Sequence, residues 1–153
     1  MAMRLSTEAN EEVYESKCTQ ISADTLESFR RYLSVLESEG RSGALFSPDP
    51  LREINVLESF KKYWFRSTSK GYEKRGAIPV MRLGDYIRRS IKPGEVVAVE
   101  NIGYALHFLT IGNVVKMIRE ADELAAEKVA HLAVHVSPNT VDDEELERIL
   151  GLA

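Results

Sequence analysis

The chain has 153 residues, of which 44% are apolar and 29% charged, and its formal net charge is −4. This length and balance predict one globular domain spanning 1–153, in which 1–20 form a flexible or edge-strand extension. The chain has one cysteine, no apolar run long enough to span a membrane, and an acidic, polar N-terminus. These features argue against a disulfide framework, a membrane protein and a secretory signal, so we expect a cytoplasmic protein.

Apolar periodicity and turn signals predict strands that alternate with helices along the chain. The predicted strands are 12–18, 43–47, 77–83, 95–100 and 129–136. The predicted helices are 24–39, 51–63, 85–90, 110–128 and 142–150, with an exposed loop at 66–76. Asp24 and Glu27 are spaced as a capping box for the first helix, and Gly40 ends it. Pro79 favours an edge strand or the start of a strand.

This alternation predicts an α/β fold, a single three-layer domain with a mainly parallel sheet covered by helices on both faces. Strand 95–100 (EVVAVE) has four consecutive apolar residues, which indicates a central strand buried on both faces. In such folds ligands bind beyond the carboxyl ends of the strands. The segments in which we therefore expect a site are 47–49, 83–85, 100–104 and 137–140.

The C-terminal half carries a family resemblance. The segment VVAVENIGYALHF (96–108) precedes a helix NVVKMIREADELA, a strand HLAVHV and the segment SPNTVDDEELERIL. This order resembles the archaeal domain-of-unknown-function family 835, itself similar to a degenerate RecA/KaiC-like ATPase core. The likeness covers 78–150, and its extension to GALFSPDPLREI is open. Separately, the scarcity of amides, with one Gln and five Asn, is typical of proteins from thermophiles.

The resemblance implies a RecA-like fold and no demonstrated activity. It places Glu100 where such ATPases carry the acidic residue of their metal-coordinating strand, although Asp is more usual there. The chain lacks the phosphate loop G-x-x-x-x-G-K-[ST]. Without that loop, neither the backbone cradle nor the lysine that holds the phosphates is present.

Charge is segregated along the chain. Residues 61–92, the basic segment, contain ten Lys/Arg and two Asp/Glu, a net charge of +8, whereas 1–60 carry −5 and 93–153 carry −7. The basic segment is a candidate docking surface for an acidic protein partner, including a second copy of the chain in a homo-oligomer. The candidate binding residues are Lys61, Lys62, Trp64, Arg66, Lys70, Arg75, Arg88 and Arg89.

The same segment has a second interpretation. Its basic residues alternate with aromatic residues, a composition that suits single-stranded nucleic acid because cations contact phosphates and rings stack on bases. Trp64 and Phe65 equally suit a role as core anchors beside solvated lysines. A polar stretch at 67–71 contains hydroxyls, a lysine and a glycine that suit a phosphate, but it matches no phosphate-loop template and is also typical of a surface loop.

Other candidate residues are isolated. Glu100 and Asn101 form a candidate strand-end site, in which the carboxylate could bind magnesium, act as a base or pair with a basic residue. His131 and His135 are about 13 Å apart if 129–136 is a strand, too far to share a metal ion. Cys18 has no identifiable base, and the acidic run 142–145 suits a helix N-terminus. We predict no metal, no cofactor and no catalytic residue.

The leading hypothesis is a non-catalytic binding or regulatory domain that acts through a partner at the basic segment. One alternative is a nucleic-acid-binding module that uses the same segment. The other is an enzyme with a site at the strand ends near Glu100, which requires a cavity lined by Glu100, Ser47 or Ser137.

Overall fold

A computed structural model describes residues 14–49, 56–68, 70 and 76–153. The strands in this part of the chain are β1 Thr19–Ala23, β2 Gly43–Ser47, β3 Phe60–Arg66, β4 Ala77–Pro79, β5 Val96–Val99 and β6 His131–Val136. The helices are α1 Leu26–Ser38, α2 Leu83–Ser90, α3 Ile111–Glu127 and α4 Asp143–Leu150. None of the helices in the described ranges is long and apolar enough to cross a membrane.

The described strands form one sheet in the order β1-β6-β5-β2-β3-β4, and every neighbouring pair is parallel. The predicted single α/β domain with a parallel sheet is thereby confirmed, and it is consistent with a three-layer, RecA-like arrangement. From β2 the chain proceeds through β3 and β4 toward one edge, whereas β5 and β6 lie on the other side of β2. The direction of winding therefore reverses between β2 and β5, and such a switch point opens a crevice at the carboxyl ends of the strands.

Helices cover both faces of the sheet. Helix α1 packs Phe29 and Leu33 against Leu45 and Ala98 on one face. Helices α2, α3 and α4 pack on the other face, where their buried side chains meet alternate residues of the same strands. All four residues of β5 are buried, which confirms the predicted central strand.

Strand β3 corrects the predicted helix 51–63. Residues 50–55 lie outside the described residues, but Phe60–Arg66 is a strand between β2 and β4. Phe60 packs on the α1 side, and Tyr63 and Phe65 pack on the opposite side, the alternation of a strand. Aromatic residues suit a pleated surface, and pairing on both sides supplies the hydrogen bonds that a helix would otherwise make.

The first predicted strand is also wrong within the described residues. Positions 12 and 13 lie outside them, and 14–18 form no strand, since β1 begins at Thr19. The backbone N–H groups of Lys17 and Cys18 donate to the buried carboxylate of Asp122 on α3 rather than to a sheet ladder. This contact anchors the segment to α3 immediately before the strand starts.

The ends of other helices and strands differ from the predicted ends by a few residues. Helix α1 is capped by Thr25, whose hydroxyl accepts from the N–H of Ser28, and not by Asp24. Strand β4 ends at Pro79, where a short 3-10 helix leads into α2. It lies at an edge of the described sheet, the first of the two positions that Pro79 favours, and Pro79 does not begin the strand. Helices α3 and α4 are confirmed, and α4 begins with a capping box between Asp142 and Glu145.

Candidate functional site

A cavity of about 160 Å³ lies at the switch point, beyond the carboxyl ends of β2, β5 and β6. Ser47, at the end of β2, and Glu100, directly after β5, are each 1% exposed, and His135 near the end of β6 is 2% exposed. The cavity is lined by Leu26, Ser47, Pro48, Asp49, Glu100, Asn101, His135 and Ser137. We call this group of residues, together with Arg30, the strand-end site.

Glu100 is held by Arg30 of α1. The Nε and Nη2 groups of Arg30 donate to the two carboxylate oxygens at 2.6 and 2.9 Å. These hydrogen bonds raise the pKa of the Arg30 guanidinium, and the nearby Asp49 carboxylate adds to the effect, whereas burial opposes it. The bidentate pair matches the charge of a carboxylate that the fold withdraws from water.

His135 orders the start of the loop after β5. The backbone N–H of Asn101 donates to Nδ1 of His135 at 3.0 Å, so Nε2 carries the hydrogen that is shared with the carbonyl of Asp24 at 2.8 Å. The His135 ring also packs on Phe29, with centroids 5.2 Å apart. Asn101 itself adopts the left-handed conformation at φ 49°, where asparagine is tolerated better than most residues.

This geometry favours the pairing role of Glu100 over the other predicted roles. Both carboxylate oxygens are committed to Arg30, which leaves a poor general base. Among the described residues, no group of three or more His, Cys, Asp or Glu side chains is arranged to hold a metal ion. The cavity that the enzyme alternative requires does exist, however, and it includes Glu100, Ser47 and Ser137.

The basic segment does not form one continuous face. Tyr63 and Phe65 of β3 point toward α2 and α3, so Lys62, Trp64 and Arg66 point to the opposite side, the face that carries α1. The arginines of α2 lie on the face that carries α2 and α3. Lys61 and Lys70 are exposed, and Arg75 lies outside the described residues.

The arginines near α2 form the densest charge in the described part of the segment. Arg82, Arg88 and Arg89 approach the carboxylate of Asp85 at 3.0, 3.1 and 3.9 Å. Hydrogen bonding from Arg82, with the charge of Arg89 and Arg88, holds the pKa of Asp85 below its usual range. An adjacent pocket of about 220 Å³ is lined by Ile78, Pro79, Arg82, Asp85, Tyr86, Arg89 and Ser90. We call this surface, with Arg88, the basic edge.

The aromatic rings at positions 63–65 of β3 make contacts with other parts of the chain. Phe65 is 2% exposed. Tyr63 stacks on Phe46 with centroids 5.3 Å apart, and it accepts a hydrogen bond from Tyr86. The Trp64 indole donates to the carbonyl of Pro48 at 2.9 Å, and the Arg66 guanidinium lies 4.2 Å from its ring centroid. Phe65 is therefore a core anchor, whereas Trp64 is half-buried and belongs to neither core cluster.

The remaining candidates have structural surroundings. His131 bonds the hydroxyl of Tyr32 and the carbonyl of Cys18. It lies on the α1 face, as His135 does. Burial and hydrogen bonding to Asp122 raise the pKa of the Cys18 thiol to about 11, which leaves it protonated and a weak nucleophile near neutral pH.

Two charged residues that matter in the structure, Arg30 and Asp122, are not among the sequence candidates. The sequence pattern nevertheless marks both residues, because each is a charged residue at an apolar position of its helix. Arg30 stands four residues after Leu26 and three before Leu33, on the buried stripe of α1, and Asp122 stands four residues after Ile118 on that of α3. A charged residue at an apolar position of a helix indicates a buried partner.

No protein-family model and no curated protein matches the chain. The resemblance to the archaeal family therefore stays a prediction, and the function has to be argued from the geometry.

Proposed function

We propose that the chain is a non-catalytic binding domain that docks an acidic protein partner on the basic edge. The observation that carries the proposal is the meeting of three arginines on a single carboxylate, Asp85, beside a pocket that polar and apolar side chains line together. The combined positive charge of the three guanidinium groups exceeds the single negative charge of Asp85, and the three arginine side chains are 57 to 72% exposed. An incoming carboxylate would share their unused donors.

The pocket beside the arginines suits a protein partner. Ile78, Pro79 and Tyr86 supply apolar surface between charged groups, and Met81 nearby is 63% exposed. Arginine, methionine and tyrosine are the residues enriched in protein interfaces. A single-stranded nucleic acid would instead need accessible rings, and Tyr63 and Phe65 of β3 pack inside the protein.

The strand-end site supports the non-catalytic part of the proposal. Its one fully buried carboxylate, Glu100, is neutralised by Arg30. The family resemblance implies an archaeal, RecA-like core without a phosphate loop. The scarcity of amides favours a thermophilic source, and the single cysteine favours the cytoplasm. ATP hydrolysis by the purified chain that is abolished by Glu100→Gln would contradict this view.

The test is fluorescence anisotropy with a labelled peptide of glutamates and interspersed leucines, beside labelled single-stranded DNA, duplex DNA and RNA. We expect the acidic peptide to bind with an affinity that falls with added salt. Arg88→Glu combined with Arg89→Glu should weaken peptide binding by at least about tenfold. The matched control is Arg31→Glu with Lys116→Glu, which changes the net charge equally on exposed helical positions outside the basic edge.

The outcomes separate the hypotheses. Loss of peptide binding in the double reversal but not in its control supports docking on the basic edge. If both variants lose peptide binding equally, the binding depends on the overall charge of the protein and not on the basic edge, and the proposal is overturned. Tighter binding of nucleic acid than of peptide, with the same dependence on Arg88 and Arg89, would favour the nucleic-acid alternative, and no binding of any probe would contradict both.

A further inference from the structure

The strand-end cavity has no role in the proposed function, yet polar side chains that the fold withdraws from solvent line it. Three of its polar residues, Ser47, Glu100 and His135, are at least 98% buried as residues. The cavity is open to solvent at its rim, where Asp49 is exposed, so water or a small ligand can enter it and meet these polar groups. Its place at the switch point between β2 and β5 is the place where folds of this class bind ligands.

The size of the cavity limits the ligand. About 160 Å³ corresponds to the volume of roughly five water molecules. Pockets for larger ligands usually measure roughly 300–1,000 Å³. The cavity thus suits a molecule of a few heavy atoms and is too small to enclose a nucleotide.

The charge of the cavity limits the ligand further. Its described lining contains two carboxylates, Asp49 and Glu100, and no lysine or arginine. Arg30 offsets one of these charges through its bidentate contact with Glu100. Asp49 is exposed at the rim, where its charge also acts on Arg30, and it forms no ion pair with another described residue. The charges of Arg30, Glu100 and Asp49 therefore sum to one negative charge for the described part of the site. This charge would repel an anion such as phosphate, whereas it would attract an ammonium group.

The remaining groups can orient such a ligand. The hydroxyl of Ser47 accepts from the N–H of Asp49 at 3.2 Å, and no described residue accepts the hydrogen of that hydroxyl. The hydroxyl of Thr140 donates to the carbonyl of Ser137 at 2.7 Å and lies 3.3 Å from Oδ1 of Asn101, and no described residue accepts a hydrogen bond from the NH₂ group of Asn101. Leu26 and Pro48 supply apolar contact. The site therefore offers a carboxylate for a cation and neutral donors for a second polar group.

From these observations we propose that the strand-end cavity binds a small ammonium-bearing ligand, with Asp49 as its charge partner. The ligand is either a simple amine or a small amino acid, whose carboxylate would meet the donors of Ser47 and Asn101. The inference does not depend on the basic edge.

The experiment is a titration of the ¹⁵N-labelled protein followed by backbone amide chemical shifts. The probes are ethanolamine, glycine, acetate and inorganic phosphate, each added separately at constant ionic strength. We expect ethanolamine or glycine to shift the amides of Ser47, Asn101 and Ser137 with a millimolar dissociation constant, and acetate and phosphate to leave them in place. A stronger response to glycine than to ethanolamine identifies an amino acid, and the reverse identifies a simple amine.

Asp49→Asn should weaken the binding of the responding amine by about tenfold or more. This position is exposed, so the variant is expected to fold, and Asp143→Asn on α4 is the control with the same change of charge. Equal affinity of the Asp49→Asn variant and the wild type would overturn the role of Asp49. The absence of shifts with both amines, or larger shifts with phosphate, would overturn the proposed ligand class. Neither result would bear on peptide binding at the basic edge.

Discussion

The strand-end site and the basic edge use charge in opposite ways. Glu100 is 1% exposed, and both of its oxygens are committed to Arg30. At the basic edge, Arg82, Arg88 and Arg89 are more than half exposed and share one carboxylate. A buried charge must be matched inside the protein because its desolvation is costly, whereas exposed charges are stabilised by water and can be left for a partner. Changes in the strand-end site should thus affect mainly the stability of the fold, and changes in the basic edge should affect mainly the binding of a partner.

The largest effect should come from breaking the buried pair. Arg30→Ala would leave Glu100 buried without its partner, and we expect the free energy of unfolding to fall by about 3 kcal/mol in urea denaturation. Combining it with Glu100→Gln should restore part of the loss, since no uncompensated charge remains. Arg31→Ala is the control, because Arg31 pairs with Glu27 at the surface, and it should change stability by less than about 0.5 kcal/mol. Similar losses for Arg30→Ala and Arg31→Ala would remove the contrast between the two regions.

A second buried carboxylate tests whether this argument is general. Asp122 accepts hydrogen bonds from Thr19, Tyr14 and the N–H groups of Lys17 and Cys18. Asp122→Ala would leave these donors without their acceptor, and we expect a loss of about 2 kcal/mol. If the variant unfolds at the same urea concentration as the wild type, the segment before β1 is not anchored as the structure shows.

Asp122 also predicts a pH dependence. Burial raises the pKa of Asp122, but the hydrogen bonds from Thr19, Tyr14, Lys17 and Cys18 outweigh burial, so the pKa lies below its ordinary value. A lowered pKa contributes stability that is present above the unfolded-state pKa of about 3.9 and is lost as pH falls through the folded-state pKa. The stability difference between the wild type and Asp122→Asn should accordingly be largest at neutral pH and shrink in acid. A difference that stays constant into acid would show that the charge of Asp122 contributes nothing.

The thiol beside Asp122 reports on the same network. Because the pKa of Cys18 is raised to about 11, little thiolate is present near neutral pH. We expect alkylation by iodoacetamide to be more than about tenfold slower in the native protein than in the urea-unfolded chain. Equal rates would mean that Cys18 is accessible and that the contact with Asp122 is not maintained in solution.

The smallest effect on stability is expected at the basic edge. Arg88→Glu with Arg89→Glu places two carboxylates near Asp85 in the last turn of α2, and the free energy of unfolding should fall by about 1 kcal/mol. The same variant is the one expected to lose the acidic peptide. A large loss of stability would show that the arginines support the fold, and the comparison between the two regions would then fail.

The elements predicted correctly from sequence are those whose pattern is local. Strand β5 is a short apolar run between turn signals, and α3 and α4 show helical periodicity with caps at Thr110 and Asp142. Strand β3 was missed because 60–66 also fit the end of a helix. It is a strand because β2 and β4 pair with it, and neither neighbour is visible in its own residues.

The candidate site was predicted in part. Glu100, Asn101 and Ser47 follow strands, so their place at the carboxyl edge of a parallel sheet could be expected. Their meeting with Arg30, 70 positions before Glu100, could not, because it depends on α1 packing across β5. The buried stripe of α1 showed only that Arg30 needs a partner and did not show which one.

By itself, the sequence determined the alternation of strands and helices, the buried central strand and the concentration of basic residues in 61–92. Only the tertiary structure decided that the ends of β2, β5 and β6 enclose one cavity and that the basic segment is divided between two faces of the sheet. The physical reason is that the periodicity of apolar residues indicates only which side of each helix or strand faces the core. The order in which strands pair is set by contacts between distant parts of the chain, which local patterns do not encode.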